Sequence, residues 1–200
     1  MTYPNAAAGL KTVYQSQIVG LIATVLLFIP FVNILAAAAL LVVFVLYMVG
    51  LNQCAKQDDG YRTAFMLVII NLVVNLLGNF IPGVISTILS LVGDVLTLAA
   101  LYFVCITTNR LLENLRAPQN TIDRGVAAWK INVICTIVTV VCTLLSMIPV
   151  VSLQLLAAIV TLIATIAQLV GCILYMLFLR DAYRIMESVI PPEERVQQAM

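Results

Sequence analysis

Residues 63–108 read TAFMLVIINLVVNLLGNFIPGVISTILSLVGDVLTLAALYFVCITT, two long apolar runs joined at Ile81-Pro82-Gly83 and carrying one charge, Asp94. A membrane-spanning helix needs about 20 apolar residues, and each run supplies them. Proline and glycine together at the break mark a tight turn, so the stretch reads as a helical hairpin folded within a bilayer.

The same signature recurs on both sides. Ile29-Pro30 and Ile148-Pro149 interrupt apolar runs as Ile81-Pro82 does. A basic residue stands 19 or 20 positions before each proline, at Lys11, Arg62 and Lys130, and a Leu-Tyr pair follows each, at Leu46-Tyr47, Leu101-Tyr102 and Leu174-Tyr175. We expect an all-α, polytopic integral membrane protein: six transmembrane helices arranged as three repeated hairpins with Ile-Pro turns. The hairpins cover about 11–56, 62–116 and 126–188, within one transmembrane domain of residues 1–200. Candidate spans fall near 12–29, 31–53, 63–81, 83–108, 126–148 and 150–179.

Composition points to the same class. The 200 residues are 63% hydrophobic and 10% charged, against about 25% charged in soluble domains. The net charge of +1 does not suggest a nucleic-acid partner. The first span is the most polar, opening with Thr12, Tyr14, Gln15, Ser16 and Gln17. Lys11, the apolar run after it and Ala36 to Ala39 imitate a signal peptide. Alignment of this segment with the third and fifth spans, at its basic start and its Ile-Pro end, favours a retained span.

Charge placement orients the bundle. All ten Lys and Arg residues, and every acidic residue except Asp94, lie in the N-terminal segment, the two longer connections or the C-terminal tail. The positive-inside rule places both termini in the cytoplasm and the Ile-Pro turns at the outer face; the plasma membrane is the expected location. Residues 109–125 read as a cytosolic linker stopped at Ala117-Pro118, after a short extension of the fourth helix. The sixth segment exceeds a bilayer core of about 30 Å and must tilt or project. Arg180, Asp181, Arg184 and Glu187 suit its continuation to Pro191-Pro192, with a disordered tail over 191–200. Interfacial anchoring is the expected role of the Leu-Tyr pairs, Tyr61 and Trp129.

Polar residues inside the spans are the candidate site. Asn71, Asn75 and Asn79 form one stripe; Ser86, Ser90, Asp94 and Thr97 form another. Folding about Pro82-Gly83 sets Asn79 opposite Ser86, Asn75 opposite Ser90 and Asn71 opposite Asp94. The third hairpin carries Asn132, Thr136, Thr139, Thr143 and Ser146 against Gln154, Thr161, Thr165, Gln168 and Cys172, whereas the first is poorer, with Gln17, Thr24, Asn33 and Asn52 among small residues such as Gly20. Stripes of this kind also serve as glue between helices. Asp94 tips the balance, because an unpaired charge at mid-membrane costs about 2.5–3.5 kcal/mol and marks a functional site. With no cation inside the spans, it must be protonated, hydrated or bound to a cation, and Asn71 is its expected hydrogen-bond partner.

The chain has no histidine, which excludes Ser-His and Cys-His nucleophiles and histidine metal sites. Gly93-Asp94 resembles the Gly-Asp element of intramembrane aspartyl proteases, but that chemistry needs a second aspartate, and no other span holds one. The five cysteines lack zinc spacing and read as small apolar residues. No cofactor motif is present, and no enzyme activity is expected.

Two readings of function follow. In the first, the chain is a small-solute or ion binding and transport component centred on Asp94, with Asn71, Asn75, Ser90, Asn79 and Ser86. In the second, it is a structural subunit whose polar stripes only lock helices together. Its partners are the lipid bilayer, a solute or ion, and a membrane protein or a second copy of itself.

Overall fold

The structure, a computed structural model, describes residues 2–26, 29, 33–146, 148 and 150–191. Pro30, Pro149, the tail from residue 192 and the side chains of Asn33, Ala36 and Ala37, all invoked above, lie outside the described residues. The described chain is all helical: α1 (Pro4–Leu26), α2 (Asn33–Ala55), α3 (Asp59–Phe80), α4 (Val84–Asn114), α5 (Gln119–Ser146) and α6 (Val151–Val189).

Among the described residues, five helices are long and apolar enough to cross a membrane by length and composition, namely α2 through α6. The opening of α1 holds Lys11, Thr12, Gln15, Ser16 and Gln17, which explains why it falls short of that measure. At 1.5 Å per residue, α4 with 31 residues and α6 with 39 extend about 46 and 58 Å, well beyond a hydrocarbon core of about 30 Å.

Each helix packs against its chain neighbours, and α1 also packs against α6, so the six close into a ring. Paired helices run antiparallel. Cys54 Sγ donates to the Ala6 carbonyl at one end of α1 and α2, while Gly20 faces Val43 further along. Tyr61 bonds Thr108, and Ser86 bonds the Gly78 carbonyl, at opposite ends of α3 and α4.

Local chemistry sets the helix ends. Gly83, at φ +84°, occupies the left-handed region before α4, where a side chain would strain the Ile81-Pro82-Gly83 turn. Asp58 caps α3, its carboxylate accepting from the Gly60 amide at 2.8 Å. The same carboxylate receives both short bonds from Arg110 of α4, at 2.6 Å each.

Helix α4 ends in a Schellman motif. The Ala117 amide reaches the Leu112 carbonyl, the Arg116 amide reaches that of Glu113, and Arg116 takes φ +54°. Pro118 then prevents continuation. Of the expected linker 109–125, residues 109–114 thus extend α4 and 119–125 open α5, leaving a four-residue turn.

The core lies towards the charged end. Leu10, Leu51, Tyr61, Leu112, Phe178 and Met186 are fully buried there. Towards the Ile-Pro tips the buried residues are small: Ala23, Gly93, Cys142, Ala157, Ala164 and Gly171. Large side chains such as Leu41, Phe80 and Leu155 face outward.

Candidate functional site

The ring of helices borders a half-open central cavity of about 330 Å³ to which all six contribute. Gln17 comes from α1, Phe44 and Tyr47 from α2, Asn71 from α3, Thr97 from α4, Asn132 from α5, and Gln168, Cys172 and Tyr175 from α6. A second pocket of about 120 Å³ adjoins it between α4, α5 and α6. Thr97, Leu101, Asn132 and Gln168 line both, while Asp94, Thr136 and Thr139 belong to the smaller one. On α4 and α5 these last residues lie nearer the Ile-Pro tips, so the smaller pocket sits above the larger.

Beneath the larger cavity, the packed core of the charged end forms a floor. Val13, Leu51, Val104 and Phe178 are fully buried there. Tyr61 is also fully buried, with its hydroxyl 2.8 Å from that of Thr108.

The helical stripes fall in a different register from the one expected. Gly93, not Asp94, faces α3: a β-carbon at Gly93 would lie 2.9 Å from Asn71 Oδ1 and 3.1 Å from Asn75 Nδ2. Asn71 donates to Thr97 Oγ1 at 3.0 Å and accepts from Asn75 Nδ2 at 2.8 Å. The expected Asn71 to Asp94 bond is therefore replaced by an Asn71 to Thr97 bond. The physical reason is the glycine. Lacking a side chain, Gly93 lets α3 and α4 approach on its face, and one step along the helix turns Asp94 by about 100° towards α5.

The other pairings shift as well. Ser86 Oγ donates to the Gly78 carbonyl at 3.1 Å rather than meeting Asn79. Asn79 and Ser90 are exposed and line neither cavity. Of the six expected site residues, Asn71 lines the larger cavity, Asp94 the smaller, and Asn75 supports Asn71. Several hydroxyls of the third hairpin bond back to their own helix: Thr139 to the Cys135 carbonyl, Thr143 to that of Thr139 and Thr165 to that of Thr161. These bonds satisfy the hydroxyl internally.

Asn132 is nearly buried, its amide donating to the Ala128 carbonyl at 2.8 Å. Gly171 makes room for it, since a β-carbon there would lie 2.9 Å from Asn132 Nδ2. Tyr175 is 5% exposed, and its hydroxyl has no hydrogen-bond partner among the described residues. That burial contradicts the interfacial role expected for Tyr175, and full burial does the same for Tyr61. Tyr102, by contrast, is partly exposed and stacks edge-on to Trp129 at 5.3 Å.

Neither cavity has a Lys, Arg or His among its lining residues. Among the described residues, no group of three or more His, Cys, Asp or Glu side chains could hold a metal ion. The combined lining offers amides, hydroxyls, aromatic faces and one carboxylate. Such a set suits reversible binding of a solute by hydrogen bonds and apolar contact. Comparison with protein-family models, with curated proteins and with solved structures returned no match.

Proposed function

We propose that this chain is a six-span membrane protein that binds a small solute in its central cavity, as a component of transport rather than as an enzyme. The observation that carries the reading is the cavity itself, drawn from all six helices and joined to the pocket that holds Asp94. A stripe of glue residues needs no such space. Helix α1 counts as a span in this reading because it packs antiparallel along α2, which is apolar enough to cross.

The three hairpins then represent one repeated unit, with the basic ends and both termini at the cytoplasmic face of the plasma membrane. In this orientation the packed floor closes the cavity towards the cytoplasm, and the Asp94 pocket lies on the outer side. Closure at one face and a pocket towards the other is the arrangement that alternating access requires.

A structural subunit, assembled with a membrane protein partner or a second copy, is the competing reading. The hydroxyls bonded to their own backbones and the Asn71 to Thr97 bond favour it. Cys172 separates the two. It lines the larger cavity and is exposed, whereas the other four cysteines are buried. A charged, water-soluble methanethiosulfonate reagent should label the native protein once, and Cys172→Ser should abolish the label. Absence of labelling in the folded wild type would mean a dry interior and sink the binding reading.

A further inference from the structure

The chemistry of the paired cavities narrows the solute. Resting on the binding reading above, we infer that they take a small organic cation, its ammonium group beside Asp94 and its remainder in the larger cavity against Tyr175 and Phe44. Four observations converge on this ligand class.

First, the linings contain a carboxylate and no basic residue, so an anion would be repelled with no cation to offset it. Second, the carboxylate has no Lys, Arg or His in either lining to compensate it, and Asp94 is exposed, so a cation that enters the pocket can reach it. Third, Tyr175 lines the larger cavity, and its buried hydroxyl has no hydrogen-bond partner among the described residues. A small outward shift of the cavity wall would bring it within reach of a ligand hydroxyl, which would satisfy it. Fourth, the larger cavity includes Phe44, Tyr47 and Leu101 beside its amides. An inorganic ion would leave that apolar surface unused, whereas the carbon body of an organic cation covers it, and aromatic faces attract ammonium groups.

The two pockets share Thr97, Leu101, Asn132 and Gln168, so one ligand can occupy both. The smaller takes the charged head and the larger its body. Choline and its uncharged isostere 3,3-dimethylbutan-1-ol differ in one atom, nitrogen for carbon, and in charge. They isolate the contribution of the carboxylate.

Equilibrium dialysis of the detergent-purified protein with labelled choline, competed by the isostere and by sodium chloride, tests the inference. Choline should bind about tenfold more tightly than the isostere, and Asp94→Asn should bring the ratio near one. Tyr175→Phe should weaken both ligands and leave their ratio intact. If Asp94→Asn does not fold, the wild-type ratio alone decides. Equal binding of the two molecules would overturn the cation and leave a neutral-solute cavity. Displacement by sodium at the concentration that choline itself requires would assign the site to an inorganic ion and also overturn it. No binding of either molecule, in protein whose Cys172 still reacts with the thiol reagent, would overturn the organic cation while the hydrated cavity stands; no binding and no labelling would remove both.

Discussion

The charged end and the Ile-Pro end of this bundle are built from the same six helices on different packing rules. At the charged end, Tyr61, Phe178, Leu179 and Met186 interlock with no exposure, as in a water-soluble core. Towards the tips, contacts run through Ala23, Cys142, Ala157 and Ala164, while Leu, Ile and Phe face outward. The difference follows from the solvent. About 20 residues from the tip turn, a helix such as α4 or α6 is long enough to have traversed a hydrocarbon core, and beyond that point burying large apolar side chains is again rewarded by water. Within lipid no such drive exists, and close approach of small residues replaces it. The cavity lies where one regime gives way to the other.

Substitutions that interchange the two rules should break this contrast. Phe178→Ala empties a fully buried site and should cost about 3–5 kcal/mol, read as a large fall in thermal unfolding temperature in detergent. Leu155→Ala, near the tips and 64% exposed, should change the same reading by less than about 0.5 kcal/mol. Equal losses at the two positions would refute the distinction.

Overpacking should act next in size. A β-carbon at Gly50 would lie 2.8 Å from the Gly9 carbonyl oxygen and 2.8 Å from a Val13 methyl. Gly50→Val should therefore destabilise by about 1–3 kcal/mol. Ala164→Leu tests the tip-side rule in the same way, since it forces α6 away from its neighbours. Its signature should be a widened interior, seen as faster labelling of Cys172, as well as lower stability.

Smaller effects sharpen the description of the charged end. Tyr61→Phe removes the buried bond to Thr108 and should cost about 1 kcal/mol. Asp58→Asn weakens the pair with Arg110, whose side chain is 61% exposed, while keeping a capping group on α3. Solvent screening limits the expected loss to about 0.5 kcal/mol, and it should shrink further in high salt.

How far was this legible in the sequence? The hairpin at Ile81-Pro82-Gly83 and the polar stripe through Asn132, Thr136 and Thr139 follow from spacing alone. So does the continuation of the sixth helix through Asp181, which pairs with Arg124 at 2.5 Å, and Glu187, which meets Lys11 at 3.4 Å. The closure of the ring does not follow, because nothing in a linear pattern states that α1 meets α6. Without it, Asn132 and Gln168 cannot be joined to Gln17 and Asn71 in one cavity.

The register error at Asp94 has a local origin. Matching polar residues across the turn assumes that polar groups face one another, whereas here the helices meet through Gly93, a residue with no polarity to match. Tyr175 was missed although the continuation of the sixth helix was legible, because nothing in a linear pattern states which helices close over the ring and bury it.

That continuation makes α6 a rigid lever. Gln168, Cys172 and Tyr175 form part of the cavity wall, Phe178 sits locked in the core, and Glu187 reaches Lys11 beyond it. From Tyr175 to Glu187 is about 18 Å along one uninterrupted axis. Any rocking of this rod about Phe178 moves Gln168 and Glu187 in opposite directions, so displacement of the cavity wall is felt at the charged face through a single piece of backbone.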